Sequence, residues 1–364
     1  MKKSKKILLA AAGLCGTAAA AATAAYVTTK LLVGTALDRV EPKIMKSSGK
    51  RISGAKDNEL SREFAKDCLE ASNRLAKREL EYVEIVSADG TKLIGHFYPC
   101  ENAERVIIAF HGWRTSWHYD YGMITDFWHS NGCSILYAEQ RGQNNSGGDY
   151  MGFGLTERYD CVDWVNWAIC RCGRTLPIYL AGISMGAATV LMASDLGLPD
   201  NVHGIMADCG FTSPKTIWEH IARNNLHIAY NLRSVIADFL CRQKIRVGSG
   251  DYSTTDALSK TDIPVLFIHG TDDKFVPVEM TYENYRACAS PKRMLVVPGA
   301  DHAMSYYIDR SEYEKAVLDF WYDFDGISRS EIREAAAAAA QAESGGAEHE
   351  QADSEGNKGS ETEE

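Results

Sequence analysis

A serine flanked by glycines, in Gly182-Ile183-Ser184-Met185-Gly186, stands between the apolar run Ile178-Tyr179-Leu180-Ala181 and a second apolar segment from Ala187 to Ser194. Short glycine–serine clusters arise by chance in many chains, so context decides what this one means. A sharp turn from strand to helix holds its central residue in a strained backbone and lifts the side chain above the sheet edge. Side chains in place of Gly182 and Gly186 would collide where strand and helix converge. A hydroxyl presented in this way becomes a nucleophile only if a base takes its proton, and the base needs an acid to orient it. Candidates for both lie downstream. Ile263-Pro264-Val265-Leu266-Phe267-Ile268 reads as a buried strand and runs into Asp272 and Asp273. Arg293 to Val297 reads as another, followed by His302, and Val202 to Ala207 as a third, ending at Asp208. Each candidate lies just beyond the carboxyl end of a strand, where open α/β sheets collect their chemistry. Any one of them alone would pass for an ordinary loop residue. Nucleophile, acid and histidine in that order, on three strand ends, would not.

With that order in view, the chain resembles the α/β-hydrolase superfamily, most closely its bacterial, membrane-anchored serine hydrolases, over roughly residues 80–325. The resemblance implies a three-layer α/β fold with a mostly parallel central sheet. In such proteins an HG-x motif after the third strand supplies half of the oxyanion hole, and here His111-Gly112-Trp113 follows Val106 to Phe110. The superfamily's late segment HG-x-x-D-x-x-V-P matches His269 to Pro277 and selects Asp273 over Asp272 as the acid. Asp208 is the alternative, because some hydrolases carry their acid on that earlier strand. The segment from Glu139 to Gly148 looks like the loop D-x-R-G-x-G-x-S-x-G, but has Glu139 for Asp and Gln143-Asn144-Asn145 in its middle. That departure is expected to affect loop conformation and to leave the triad alone.

The chemistry expected of these groups is acyl transfer. His302, as a neutral imidazole, would take the Ser184 proton and return it to the leaving group. Asp273 would hold the ring in the right tautomer. The negative charge that develops on the substrate oxygen needs preset N–H donors, for which the backbone amides of Trp113 and Met185 are the natural candidates. His111 and His269 are expected to make structural hydrogen bonds in loops.

The elements that position these residues divide the chain into four parts. Residues 1–33 open with Lys2-Lys3-Ser4-Lys5-Lys6 and an uncharged run from Ile7 to Thr29, long enough to span a bilayer. Two readings stand: an uncleaved single-pass anchor with the hydrolase outside the cytoplasm, or a cleaved signal peptide with a secreted enzyme. Either way, removing residues 1–33 is expected to release an active domain. Residues 34–80 read as a helical stalk, with Leu60, Phe64, Cys68, Leu69 and Leu75 near helical spacing. Residues 81–326 form the hydrolase domain, opened by a hairpin that turns at Ala88 to Thr91. Within it, strands and helices alternate except over residues 213–255, which carry helical patches only. That insertion reads either as a lid whose Trp218, Tyr230 and Phe239 line an acyl pocket, or as helices burying their own faces. Residues 327–364 read as an acidic, disordered tail with little apolar surface to bury.

Composition narrows the function further. With 364 residues and 45% hydrophobic content the chain can bury one large core, and a net charge of −10 argues against a nucleic-acid partner. The ten cysteines show no C-x-x-C pairs at metal-site spacing, and there is no phosphate loop, so neither metal nor cofactor is expected. The reading is a serine hydrolase acting on a small-molecule or lipid-like acyl substrate. Its alternatives are a serine peptidase or amidase on the same fold, and a membrane-anchored binding module without catalysis.

Overall fold

The computed structural model describes residues 2–42, 58–335 and 338. Most of the acidic tail expected over residues 327–364, and the stretch 43–57 of the expected stalk, lie outside the described residues. The first residues of that tail are ordered, because Ile332 is buried in the core and Arg329 is buried and donates to the Leu198 carbonyl at 2.7 Å. The strands are β1 (Glu81–Val86), β2 (Lys92–Tyr98), β3 (Arg105–Phe110), β4 (Cys133–Glu139), β5 (Ile178–Ile183), β6 (Val202–Asp208), β7 (Val265–Gly270) and β8 (Lys292–Val297). They form one sheet in the order β1-β2-β4-β3-β5-β6-β7-β8. β1 and β2 pair antiparallel, with Val86 opposite Lys92 across the turn, and β2 also runs antiparallel to β4. From β4 to β8 every pairing is parallel.

The central strands are apolar on consecutive residues because both faces of the sheet are covered. Along β3, Val106, Ile108 and Phe110 enter one core, while Ile107 and Ala109 enter the other. β7 divides in the same way, Val265 and Phe267 against Leu266 and Ile268. On the first face, Cys161, Trp164, Val165 and Ala168 come from the helix Glu157–Cys172, and Val190 and Leu191 from the helix Met185–Ala193. On the second, Trp117, Tyr121 and Trp128 pack with Val317, Phe320 and Trp321 from the helix Arg310–Phe324. The helix Met185–Ala193 is buried at all nine positions, which explains why it has no polar face; its one polar residue, Thr189, is hydrogen-bonded to the Met185 carbonyl and to Gln140. This is the three-layer α/β arrangement expected from the sequence.

In chain order the helices are α1 (Lys2–Leu37), α2 (Glu59–Ala76), α3 (Trp117–Tyr121), α4 (Thr125–Ser130), α5 (Glu157–Cys172) and α6 (Met185–Ala193). There follow α7 (Pro214–His220), α8 (Asn231–Ile245), α9 (Thr254–Leu258), α10 (Val278–Ala287), α11 (Ser305–Ile308) and α12 (Arg310–Phe324). In α2, capped by the Asn58 side chain on the Ser61 amide, the buried face is Cys68, Ala71, Ser72 and Leu75. Leu60 and Leu69, expected on that face, are 39% and 54% exposed, because the helix turns them away from α3. The insertion between β6 and β7 is helical, as α7, a π turn at Ile221–Asn225, α8 and α9. A capping box at Ser213 opens it, with the Ser213 and Thr216 side chains reciprocally bound to each other's backbone. Trp218 and Tyr230 are buried in it and line an apolar chamber, whereas Phe239 is 53% exposed and is not part of that chamber's wall.

Helix α1 is the one helix among the described residues long and apolar enough to cross a membrane, by length and composition, over Ala20–Leu37. It does not stand apart from the rest. Ala25, Thr29, Val33 and Leu37, four residues apart and so on one face, are buried, and the helix packs along α8. The expected boundary at residue 33 therefore falls inside a helix whose last turns belong to the folded domain. Cutting there would strip Val33 and Thr29 from a packed surface.

Candidate active site

The turn between β5 and α6 holds Ser184 at φ 56° and ψ −113°, a backbone conformation that L-residues rarely adopt. It is tolerated because the neighbours fix it. The Ser184 amide donates to the Asp208 carbonyl at 2.8 Å, and its carbonyl accepts from the Ala188 amide at 3.1 Å. A Cβ on Gly186 would overlap the Phe110 carbonyl, and one on Gly182 would overlap the Gly186 backbone. Glycine is required at both places.

The structure brings Ser184, His302 and Asp273 together. The Ser184 hydroxyl lies 2.9 Å from His302 Nε2, and His302 Nδ1 lies 2.6 Å from Asp273 Oδ2. A carboxylate at Nδ1 keeps the proton there and leaves Nε2 free to accept from the serine. Burial alone would raise the Asp273 carboxyl, but the facing charge of His302 and the hydrogen bonds from His269 and His302 outweigh it. The group is held well below the usual carboxylate range. Burial would likewise lower His302, and the Asp273 carboxylate overrides it, leaving the imidazole well above its ordinary value. Asp208 sits elsewhere in the same cleft. Its carboxylate accepts from Ser305 at 3.3 Å, and burial pushes it up to about 6 against the pull of His269 and His302.

His269 does more than the sequence suggested. Its Nε2 faces both Asp273 Oδ2, at 3.1 Å, and the Val276 carbonyl, at 2.8 Å, while Nδ1 accepts from Thr281 at 2.6 Å. With the amides of Phe275 and Val276 on Oδ1, it fixes the carboxylate in place. The signal was present in the sequence as a histidine four residues before the acid. His111 is structural: burial lowers it to about 4, so it is neutral, bound at Nδ1 to the Gly112 carbonyl and at Nε2 by the Gln140 amide.

The loop after β3 shows how one amide is left uncommitted. The Gly112 amide donates to Asp120 at 2.7 Å, and the Arg114 amide to Gln143 Oε1 at 2.5 Å. The Trp113 amide between them, and the Met185 amide at the start of α6, have no hydrogen-bond partner among the described residues. Gln143 belongs to the unusual stretch after β4, and its neighbour Asn144 reaches the Thr115 carbonyl at 3.1 Å. That stretch therefore pins the loop of Trp113. Asp120 was not recognised from the sequence, and nothing marks it there beyond its place in the first turn of a short helix. Burial raises its carboxyl to about 6, against the Gly112 amide and Thr115 hydroxyl that favour its charge. Asp120→Ala should lower kcat by about tenfold to a hundredfold with little change in KM, less than or equal to the loss of one oxyanion donor. Asp120→Asn keeps an acceptor for Gly112 and should recover most of it; steady-state kinetics on a short ester separates the two.

Residues 117–324, more than half of the chain, match the model of the prolyl oligopeptidase family. The chain belongs to that family. The uncharacterized protein YqkD of Bacillus subtilis is 30% identical over 193 residues, covering 52% of this chain. The match spans 62% of that relative, less than two thirds of its length. Among solved structures, an esterase of Pyrococcus furiosus superposes with a TM-score of 0.56 at 22% identity, over 70% of this chain and 96% of its own. An acylaminoacyl peptidase of Pyrococcus horikoshii superposes with a TM-score of 0.53 at 17% identity, over 71% of this chain and 45% of its own. These likenesses agree with the α/β-hydrolase fold. In this family member, the one group of possible metal ligands among the described residues is Cys209, Asp273 and His302, with donor atoms within 4.8 Å of one another. Two of these are engaged with each other, and burial pushes the Cys209 thiol up to about 11, away from the thiolate a metal takes.

The cleft above Ser184 and His302 has a volume of about 310 Å³ and is walled by Trp113, Phe275, Tyr306 and Tyr307. The ring of Phe275 stands edge-on to the His302 ring at 5.0 Å. Trp218 does not line this cleft; it lines a separate apolar chamber on the far side of Trp113 and Phe275.

Proposed function

We propose that the chain is a serine hydrolase that cleaves an ester or related acyl bond through an acyl-enzyme, with Ser184 as nucleophile, His302 as general base and acid, and Asp273 as the orienting acid. The observation that carries this reading is the unbroken relay of 2.9 Å and 2.6 Å hydrogen bonds ending at a strained serine beside two uncommitted amides. Attack by Ser184 Oγ on the substrate carbonyl would pass the hydroxyl proton to His302 Nε2. The oxygen, now negative, would be met by the amides of Trp113 and Met185. As the tetrahedral centre collapses, the bond to the leaving group breaks and His302 returns the proton to it. Water, deprotonated by the same imidazole, then attacks the acyl-enzyme, and the proton passes back to Ser184 as the acid departs.

A second reading, amide or peptide cleavage, is supported by the family itself and by the acylaminoacyl peptidase among its structural likenesses. The same relay serves both, since only the leaving group differs. A panel of p-nitrophenyl esters of rising chain length, run beside aminoacyl-anilides, separates them. Ester turnover at least about a hundredfold above anilide turnover supports the esterase reading, and the reverse ranking replaces it. We also propose that α1 holds the enzyme at a membrane as a single-pass anchor, with the catalytic domain on the extracytoplasmic side, in keeping with the lysines that precede the apolar run. Recovery in the soluble fraction, with an N-terminus starting among the alanines, would replace the anchor with a cleaved signal.

A further inference from the structure

Behind the partition formed by Trp113 and Phe275 lies a chamber whose outer wall is the end of α1, through Thr29, Leu32 and Val33. Trp218 and Ala222, from the insertion, form the opposite wall. Trp113 and Phe275 line both this chamber and the cleft that holds Ser184 and His302, so the two spaces share a boundary of two aromatic rings. The polar residues of α1 in the wall are polar in name only. Thr29 donates its hydroxyl to the Ala25 carbonyl at 2.7 Å and Thr35 to the Leu31 carbonyl at 2.9 Å, so both turn their oxygens into the helix.

The end of α1 is also bound to the loop of the Trp113 amide. The Trp113 indole N–H donates to the Ala36 carbonyl at 2.9 Å. Arg114 caps the helix, donating to the carbonyls of Thr35 at 2.7 Å and Asp38 at 2.6 Å, which satisfies groups that a helix end leaves open. Lys244 of α8 pairs with Asp38 at 2.5 Å. A tether with no further role would need none of these contacts.

We propose that this chamber, of about 70 Å³, receives the end of the substrate's acyl chain, so that α1 forms a wall of the substrate site as well as the attachment, and that the substrate is an ester of a short- to medium-chain fatty acid drawn from the bilayer. The proposal rests on the serine-hydrolase reading. Its occupant follows from a lining that is apolar except for Arg233, Tyr230 and the Trp218 indole N–H, and from the place of α1. The uncharged run ahead of the docked face, residues 7–24, would be about 27 Å long as a helix, close to the ~30 Å hydrocarbon thickness of a bilayer. The docked turns that wall the chamber would then begin at the membrane surface. Val235 and Phe239, one turn apart on α8, are 68% and 53% exposed, and Tyr26 and Val27 on α1 are 41% and 50% exposed, side chains that suit contact with hydrocarbon.

The test uses the full-length protein in detergent micelles and p-nitrophenyl esters from acetate to dodecanoate. For the parent, kcat/KM should rise by up to about fourfold for each added carbon until the chamber is full. Val33→Trp and Ala222→Trp fill it from opposite walls. Each should lower the ratio of octanoate to acetate kcat/KM by at least about tenfold, while Val33→Ala should move the optimum toward longer chains. Because ratios are compared within one variant, partial misfolding does not imitate the effect. Thr28→Trp, on the exposed face of the same helix, should keep the parent ratio. A ratio unchanged in both filling variants, or changed as much by Thr28→Trp, overturns the proposal. A parent active on acetate but flat with chain length overturns it too, and leaves the hydrolase reading standing. A parent that turns over no ester and takes no fluorophosphonate label loses the hydrolase reading and this one with it.

Discussion

Ser184→Ala should lose hydrolysis by about 10⁶ in kcat, the scale on which removal of a serine nucleophile acts elsewhere, and should no longer take a fluorophosphonate label. The expected size follows from the absence of a substitute. The Cys209 thiol beside His302 is held in its protonated form by burial, and a carboxylate takes up the other ring nitrogen. The fold should survive. Alanine has the same Cβ as serine, so the cost of the φ 56° backbone is unchanged, and the one side-chain hydrogen bond lost is that to His302. A thermal melt should therefore shift by no more than the few degrees that about 1 kcal/mol produces. Turnover at the parent rate in a folded Ser184→Ala protein would remove the assignment entirely.

The sequence was most legible where one short segment contains both the cause and the effect. Gly182, Ser184 and Gly186 lie within five residues, and the crowding that requires both glycines comes from the turn they make. The parallel sheet was legible for a similar reason: β3 to β7 must be apolar on successive residues to be covered on both faces. Contacts between distant segments were not legible. Asp120 holds the Gly112 amide, and Gln143 holds the Arg114 amide from a different loop, through single hydrogen bonds that leave no periodicity in the sequence. Helix α1 misled the reading in a specific way. Alanine and threonine look alike in a membrane span and in a closely packed helix, and only the spacing of Ala25, Thr29, Val33 and Leu37 separates the two uses. That spacing spans the boundary at which an anchor was expected to end.

Asp273→Asn should lose about 10⁴ in kcat, since an amide at Nδ1 favours the wrong tautomer of His302 without changing the shape of the site. The pH dependence gives a second, independent measure. Only the neutral imidazole can take the Ser184 proton, so the rate should rise with pH as His302 loses its proton. Asp273 raises that imidazole above its ordinary 6.5, so the acid limb of kcat/KM in the parent should have its midpoint above 6.5. In Asp273→Asn the main charge that opposes burial is gone. Burial, the largest influence on the ring, then meets only the weaker pull of Cys209, Asp208 and Asp120, so the residual activity should show an acid limb moved to lower pH. Asp208→Asn should keep most of the rate and leave the midpoint nearly in place, because the Asp208 carboxylate is bound to Ser305 and acts on His302 only through its field. The Cys209 thiol next to the ring makes no such distinction between the two variants. If Asp208→Asn shows the larger loss and the larger shift of the limb, the acid belongs to β6, and the 2.6 Å contact of Asp273 with His302 is a structural hydrogen bond.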